Sequence, residues 1–246
     1  CAHIEKEFGV TYSPNAMSKL LKRLGFVHKK PKCVPAKADE AVQRRFYEET
    51  LKGLMKAATS SDPLYFVDAT HPSYTGRPAH GWIRRGRTVE LKSNHGRTRI
   101  NINGALSWPD RQVVCREEEL ITSEAMIRLF DDIQKRHPGA ESIPIILDNA
   151  RYNRSKKLQE YFSQTDCRIQ PIYLPSYAPN LNLIERLWGF VKRQVLFNKA
   201  YATFADFKRA FIGMLENLDA YAEQLSTLLT DRFHFIGVPE NGISAA

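Results

Sequence analysis

The sequence has 246 residues, of which 43% are apolar, and it carries a formal net charge of +9 at pH 7. This apolar content is enough for a sizeable buried core and excludes a mainly disordered chain. The four scattered cysteines include no C-x-x-C pair, so the sequence supports neither a disulfide scaffold nor a zinc site. No run approaches the roughly 18 apolar residues of a membrane span, so a membrane helix is not supported.

Positive charge is concentrated in two segments. Residues 1–38 hold eight Lys and Arg against two Glu, and residues 71–99 hold seven against one, so each segment contributes +6 while the rest sums to −3. Such concentration favours a surface that binds a polyanion, with nucleic acid as the first candidate. We therefore expect a cytoplasmic, nucleoid-associated protein.

The chain opens with a predicted helix-turn-helix. Residues 3–9 predict a helix ending at Gly9, and Ser13-Pro14 provides the N-cap and first turn of a second helix through Arg23. In this pattern the second helix enters a DNA major groove, although a basic amphipathic helix can also be merely solvated. The residues of this region predicted to contact DNA are Ser13, Asn15, Ser18, Lys19, Lys22 and Arg23.

A basic linker follows the second helix. Lys29, Lys30 and Lys32 are predicted to contact DNA phosphates in an extended segment, because Pro31 and Pro35 interrupt regular structure. The linker thus extends the predicted DNA-binding surface beyond the two helices.

A domain boundary is expected near the end of this linker. Residues 38–58 predict a helix that leads into a larger domain, which gives a DNA-binding segment over residues 1–38 and a second domain over residues 39–246. Because the chain begins at Cys1 inside a helical pattern, we expect that upstream sequence is missing.

The larger domain is predicted to be a mixed α/β sheet. Strand-like segments dominate its first part as a meander, and helices alternate with strands in its second part. Predicted strands cover residues 64–67, 81–91, 99–106, 112–115, 144–147 and 168–173. Predicted helices cover residues 123–136, with Ser123 as the cap, and residues 155–162, 182–196 and 204–229.

Three acidic side chains close three apolar runs. Asp68 ends LYFVD, Asp148 ends IPIILD, and Glu185 ends LNLIE at the start of a helix-like segment. Acids delivered by separate elements to one sheet edge could hold two hard divalent cations, which prefer carboxylate oxygens. Two such ions can bracket a phosphodiester, so the three acids predict a metal-dependent phosphoryl-transfer site.

Each acid also has a structural alternative. Asp68 could form a turn with the residues after its strand, and Asp148 could cap the loop before the next helix. Glu185 could pair with Arg186 or Arg151 on the surface. Each alternative is the commoner case for a single acid, but the three together are much less expected by chance.

Residues 174–188, LPSYAPNLNLIERLW, resemble the Pro-x-Tyr-Ser-Pro-x-Leu-Asn-Pro-Ile-Glu-x-x-Trp signature of mariner-superfamily DDE transposases, particularly the bacterial insertion-sequence branch. Phe66-Val67-Asp68 and Leu147-Asp148-Asn149-Ala150 are similar to the two earlier acidic segments of that family. The 36 residues between Asp148 and Glu185 are close to the family spacing. With the helix-turn-helix and linker, the resemblance covers nearly the whole chain.

The resemblance implies a fold and an activity. The fold would be an RNase H-like sheet flanked by helices and preceded by a small winged-helix-like DNA-binding segment. Asp68, Asp148 and Glu185 would bind two Mg²⁺ or Mn²⁺ ions. The protein, as a homodimer on double-stranded DNA, would cleave transposon inverted-repeat ends and transfer the freed 3′-hydroxyl into target DNA, usually at TA.

The second basic segment suits this resemblance. Arg84, Arg85 and Arg87, near Trp82, fall where family members carry an insertion that contacts DNA or the partner subunit. A solvated hairpin with a core Trp82 is an equally weighted alternative. We also expect Trp188 and Phe190 to anchor their helix in the core, and His71 to be satisfied by backbone rather than to bind metal.

The chain departs from the signature at three positions. Leu183 stands where the family usually has Pro, Ala178 where Ser is usual, and Asn153 where His often follows the second acid. Two other functions stay open on the sequence: a catalytically silent, repressor-like DNA-binding protein, and an RNase H-like nuclease without strand transfer.

Overall fold

The computed structural model describes residues 1–28, 35–92 and 98–237. Its internal contacts divide the chain into two units, Cys1–Val34 and Pro35–Ala246. The predicted DNA contacts Lys29, Lys30 and Lys32 lie outside the described residues.

The first unit contains the two predicted helices, α1 (Ala2–Phe8) and α2 (Pro14–Arg23). Helix α1 ends because Gly9 adopts a left-handed conformation, φ 66°, which glycine enters without steric cost. Helix α2 begins where the Ser13 hydroxyl accepts a hydrogen bond from the Ala16 amide at 3.2 Å.

Helix α2 exposes the residues named from the sequence as DNA contacts. Its N-cap and its polar positions are all solvent-exposed: Ser13, Asn15, Ser18, Lys19, Lys22 and Arg23. The apolar stripe is incompletely covered as well, since Leu24 is 62% exposed. This surface is therefore accessible to a ligand.

The second unit begins with one long helical stretch that is not a single α-helix. Helix α3 (Glu40–Phe46) passes through a π-helical turn (Tyr47–Leu51) into α4 (Lys52–Ala57). The sequence predicted the helical extent but not this change of hydrogen-bond register, which helical periodicity over so short a span does not specify.

Within the described residues, five strands form one sheet in the order β3-β2-β1-β4-β5. The strands are β1 (Leu64–Thr70), β2 (Ile102–Trp108), β3 (Val113–Glu117), β4 (Ile143–Leu147) and β5 (Ile169–Tyr173). The first three form an antiparallel meander, and β4 and β5 pair parallel to β1 and to each other.

The predicted strand over residues 81–91 is wrong. These residues form no strand, and Trp82 is fully exposed rather than a core residue. Their β-branched and aromatic composition favours a strand, but a strand also needs a partner and a buried face, and the segment has neither.

Helices flank the sheet on both faces. They are α5 (Ser123–Arg136), α6 (Lys156–Phe162), α7 (Ile184–Leu196), α8 (Phe204–Glu216) and α9 (Ala222–Leu228). The cap of α5 is Thr122, whose hydroxyl accepts from the Ala125 amide, and not Ser123 as predicted. The predicted helix over residues 204–229 is broken by a 3-10 turn, Leu218–Tyr221.

Successive side chains of β1 point to opposite faces of the sheet, so they are covered by different helices. Leu64 and Phe66 join the core beneath α7 and α8, whereas Tyr65 and Val67 join the core beneath α5 and α6. The predicted fold class, an RNase H-like mixed sheet with flanking helices after a helix-turn-helix segment, is confirmed. Among the described helices, none has the length and apolar content needed to cross a bilayer.

Candidate active site

Asp68 lies on the central strand of the sheet. It does not end β1 as predicted, because the strand continues to Thr70. Asp68 has the same parity as Leu64 and Phe66 and pairs across the ladder with Gly104 of β2. Its side chain therefore lies on the sheet face that α7 covers.

Asp148 follows the last residue of β4, which runs parallel to β1. Strand order reverses between β1 and β4, and ligands bind at such switch points in open α/β sheets. The Asp148 Oδ1 accepts hydrogen bonds from the Ala150 amide at 3.0 Å and from Asn153 Nδ2 at 2.7 Å. The bond from the Ala150 amide is the local contact that Asp148 would make if it only capped the loop. Both bonds use the same carboxylate oxygen.

Glu185 is solvent-exposed in the first turn of α7. The residue that fixes this turn is Asn182, which is 3% exposed and donates from Nδ2 to the Val67 carbonyl at 2.9 Å. That bond ties the start of α7 to β1 one residue before Asp68. The LNLIE segment thus places Glu185 through a contact with the strand that carries the first acid.

Trp188 anchors α7 one turn after Glu185. Its ring is fully buried, as expected from the sequence, and it packs on Gly104. A Cβ at position 104 would lie 2.6 Å from Trp188 Cζ2, so only glycine leaves room for the ring. Gly104 pairs with Asp68 in the sheet. The contact between Trp188 and Gly104 therefore helps to determine the distance of α7 from the strand that carries Asp68.

The three acids are close enough to affect one another electrostatically. The pKa of Asp68 is raised from 3.8 to about 8, first by burial and then by the charges of Glu185 and Asp148. The pKa of Glu185 is also raised, although the residue is exposed, chiefly because the surrounding protein partly desolvates its carboxylate and further by the charge of Asp148, while Lys192 opposes the change. The structure therefore brings together the three carboxylates that lie far apart in the sequence.

Two residues at this cluster were missed by the sequence analysis. Burial lowers the pKa of Lys192, and the nearby charges of Glu185 and Asp68 partly oppose this change. Burial and the charges of Asp148 and Asp68 raise the pKa of Tyr152. Lys192 follows Glu185 by seven residues, and this two-turn spacing was the signal available in the sequence.

The donor set suits hard divalent cations. The charges of Glu185 and Asp148 help to raise the pKa of Asp68, so the three carboxylates form a site of concentrated negative charge, which a cation would relieve. In the part of the chain that the structure describes, no three acidic, His or Cys side chains surround one common point as ligands of a single ion. Mg²⁺ needs only one or two carboxylates with waters and substrate phosphate, so two of these acids would be enough as its protein ligands.

Other predicted residues lie elsewhere. Arg84, Arg85 and Arg87 are exposed in a turn in which the Arg87 amide bonds the Arg84 carbonyl at 3.0 Å. His71 is satisfied by the Asn101 side chain, Nδ1 to Oδ1 at 2.8 Å, and not by backbone as expected.

The raised pKa of Asp68 predicts a pH-dependent stability. The folded state favours protonated Asp68 while the unfolded chain ionises it above about pH 4, so the free energy of unfolding falls as pH rises toward 8. We expect Asp68→Asn to remove this loss and stabilise the metal-free protein at pH 8, by on the order of a few kcal/mol. Urea unfolding in EDTA measures it. The variant and the wild type should converge near pH 4, and a difference that does not change with pH contradicts the prediction.

Asn153 is predicted to hold Asp148 in place. Its side chain is buried and donates to Asp148, and its backbone carbonyl accepts from the Tyr173 hydroxyl at 2.8 Å. Asn153→Leu should lower Mn²⁺-dependent DNA cleavage about 10–100-fold, the usual cost of losing a hydrogen bond to a metal ligand. Asn153→His keeps a ring donor and should cut much faster than the Leu variant. Initial rates against Mn²⁺ concentration test this, and equal rates for Leu and wild type would contradict it.

Residues 63–208 match the family described as DDE superfamily endonuclease, and residues 1–50 match the family described as winged helix-turn helix. The first match covers more than half of the chain, which therefore belongs to the DDE superfamily of endonucleases. This confirms the family resemblance inferred from the acidic segments.

One curated relative comes from a bacterial insertion element. The insertion element IS630 uncharacterized 39 kDa protein of Shigella sonnei is 23% identical over 144 residues, 57% of this chain and 42% of that protein. The match therefore spans less than half of the relative's length.

Solved structures support the fold. The Mos1 transposase paired-end complex with left transposon end has a TM-score of 0.61 at 14% identity, over 88% of this chain and 70% of that one. The mariner Mos1 paired end complex with Mg has a TM-score of 0.62 at 13% identity, over 94% and 74%.

Proposed function

We propose that this chain is a DDE transposase that cleaves the inverted-repeat ends of its element and joins the 3′-hydroxyl to target DNA, at TA sites. The observation that carries the proposal is the meeting of Asp68, Asp148 and Glu185, from β1, the loop after β4, and α7, close enough that the charges of Glu185 and Asp148 add to the effect of burial in raising the pKa of Asp68. Family membership supports the same conclusion.

Asp68, Asp148 and Glu185 would hold two Mg²⁺ or Mn²⁺ ions. Such ions, when bound, activate an attacking oxygen and stabilise the leaving oxygen of a phosphodiester. The protein's part is to fix the ligands: Ala150 and Asn153 orient Asp148, and the turn that carries Glu185 is tied to β1. The relevant ion in one Mos1 complex is named as Mg and in another as Mn.

Lys192 would contribute a positive charge beside the acids. Its ammonium group is half-buried and senses both Glu185 and Asp68, while Arg77 lies near enough to lower its pKa further. A cation at this place can attract the backbone phosphate next to the scissile bond. Catalysis would then rest on positioning and charge, without a covalent protein intermediate.

Double-stranded DNA is the proposed partner. The exposed polar face of α2 would read or contact the element ends, and the exposed turn with Arg84, Arg85 and Arg87 would contact phosphates. Paired-end complexes are named for Mos1, and we propose a homodimer that pairs two ends here as well. One relative belongs to a bacterial insertion element, and we propose that this chain likewise acts on DNA, in the bacterial cytoplasm.

The test uses the wild-type chain, Mn²⁺ and linear DNA that carries the genomic flanks of its own gene. Cleavage at the flanks, with transfer of the freed 3′ ends into an added supercoiled plasmid, is expected. Cutting without joined products would favour the nuclease alternative. Binding without any cutting would favour the repressor-like alternative.

Two lysines of α2 give a separate prediction about binding. Lys19 and Lys22 are exposed, and removing one phosphate-binding charge should flatten the dependence of log affinity on log salt concentration by about 0.9. The double replacement by Gln should lower the slope by about two. Fluorescence anisotropy from low to moderate salt measures it, with exposed Lys56→Gln on α4 as control. An unchanged slope in the double variant would remove α2 from the DNA interface.

A further inference from the structure

The segment after α9 has no regular secondary structure of its own. We call residues 229–237 the C-terminal strap. They form neither helix nor strand, yet their backbone polar groups near the protein surface still need partners. Among these partners are side chains from the start of α7, beside Glu185, from the loop that leads to α7, and from helix α3.

Arg186, the neighbour of Glu185, binds the strap and the last turn before it. Its guanidinium donates to the carbonyls of Leu228 at 3.2 Å, Thr230 at 2.9 Å and Arg232 at 2.6 Å. The same group lies over the Phe233 ring, 4.8 Å from its centroid. A planar guanidinium can make several such bonds at once, which fixes the strap to the first turn of α7.

Gln43 of α3 binds the other end of the strap. It is 1% exposed, its Nε2 donates to the Ile236 carbonyl at 2.9 Å, and its Oε1 accepts from the Ile236 amide at 3.0 Å. Asn180, in the loop that leads to α7, donates from Nδ2 both to Gln43 Oε1 at 2.8 Å and to the His234 carbonyl at 2.7 Å. The strap thus contacts both flanks of the Glu185 turn.

Aromatic contacts stabilise the part of the strap that lies between these hydrogen bonds. The Tyr47 ring lies 5.6 Å from both Phe233 and Phe235, and the Arg44 guanidinium lies 4.7 Å from the Phe235 ring. At the end of the strap, a Cβ on Gly237 would lie 3.0 Å from Glu40 Cβ. Because of this close packing, the strap forms an ordered part of the structure that is packed against α3 and the start of α7.

We propose that the C-terminal strap is a positioning element for Glu185, with Arg186 and Gln43 as positioning residues. The side-chain bonds described for these two residues go to the strap, to the last turn before it and to Asn180, and none of them goes to an acid. Asn182 ties the Glu185 turn to β1 on one side, and Arg186 and Asn180 tie it to the strap on the other. Metal ligands must be held within a fraction of an ångström, so an exposed glutamate in a first helical turn depends on such supports. This inference rests on the proposed function, because it assigns Glu185 to a metal site.

A matched pair of arginines separates positioning from simple stability. Arg168 also donates to three backbone carbonyls, of His137, Ala140 and Gln134, but at the start of β5, the end of the sheet away from the acids. Arg186→Met and Arg168→Met each remove one half-buried guanidinium and its three bonds. Both should lower the melting temperature, and only the first should disturb the acids.

The experiment titrates Mn²⁺ alone into the full chain without DNA and follows free Mn²⁺ by electron paramagnetic resonance. We expect Arg186→Met to weaken Mn²⁺ binding about tenfold or more, and Arg168→Met to leave it within about twofold. Gln43→Leu, which removes the Gln43 bonds to Ile236 and Asn180 without touching α7, should weaken binding in the same direction. It also serves as the test if Arg186→Met does not fold.

The outcomes distinguish the two proposals. If Arg186→Met and Gln43→Leu bind Mn²⁺ like the wild type, or if Arg168→Met weakens binding as much as they do, the strap has no positioning role. If the wild type binds no Mn²⁺, or if Asp68→Asn leaves binding unchanged, the metal site itself is refuted. Weakened binding in the two strap variants alone supports the inference.

Discussion

Glu185→Gln is expected to abolish DNA cleavage and leave folding and DNA binding intact. The amide keeps the size of the side chain but cannot supply the anionic oxygen that a hard divalent cation requires. The loss should exceed the roughly 10–100-fold cost of removing a hydrogen-bond partner of a metal ligand. Glu185 is exposed at a helix start, so its replacement leaves no cavity and no buried unpaired group.

The chain offers a close control for this variant. Glu223 is also an exposed glutamate in the first turn of a helix, α9, and Glu223→Gln should cut DNA at the wild-type rate. Cleavage of the gene-flanking DNA with Mn²⁺ and anisotropy with the same DNA in EDTA give the two readouts. Normal cutting by Glu185→Gln would overturn the assignment of the site.

Gly104→Ala is expected to destabilise the protein and to reduce cleavage more than its stability loss explains. The added methyl group would lie 2.6 and 2.7 Å from two ring atoms of Trp188, which is fully buried and cannot move into solvent. Overpacking of this kind costs about 1–3 kcal/mol of unfolding free energy. If α7 shifts outward to relieve the clash, Glu185 shifts with it.

A second substitution tests whether the clash is the cause. Trp188→Phe shortens the ring, so Gly104→Ala combined with Trp188→Phe should be more stable than the two single effects predict. Gly53→Ala is the control, because nothing lies within 4 Å of its added Cβ in α4 and alanine favours a helix. Urea unfolding and cleavage rates are compared, and additive single effects would show that the Trp188 contact is not responsible.

Local patterns predicted most elements of the larger domain. Helix α5 has the predicted bounds, Ser123–Arg136, because an amphipathic run with a capping residue and a His-Pro-Gly stop is encoded in neighbouring residues. Composition gave a wrong strand prediction over residues 81–91, where pairing with a distant strand, and not the local residues, determines the structure. Trp82 and its neighbours have strand propensity, yet the sheet provides no partner for them.

For the acids too, some features were predicted from the sequence and others became visible only in the structure. The family resemblance marked Asp68, Asp148 and Glu185 in the sequence, but not that Asp68 lies within its strand rather than at its end. Nor did it indicate Tyr152, whose pKa the acids raise, because the turn after Asp148 brings this side chain to them.

By itself, the sequence determined the two helices of the first unit, the order of most strands and helices, and the three candidate acids. Those features depend on residues close together in the chain, through periodicity, capping and a continuous signature. The tertiary structure alone decided that the acids meet, that Trp188 rests on Gly104, and that the strap joins Gln43 to Arg186. Such contacts join residues far apart in the chain, and they exist only once strand order and register have been set by folding.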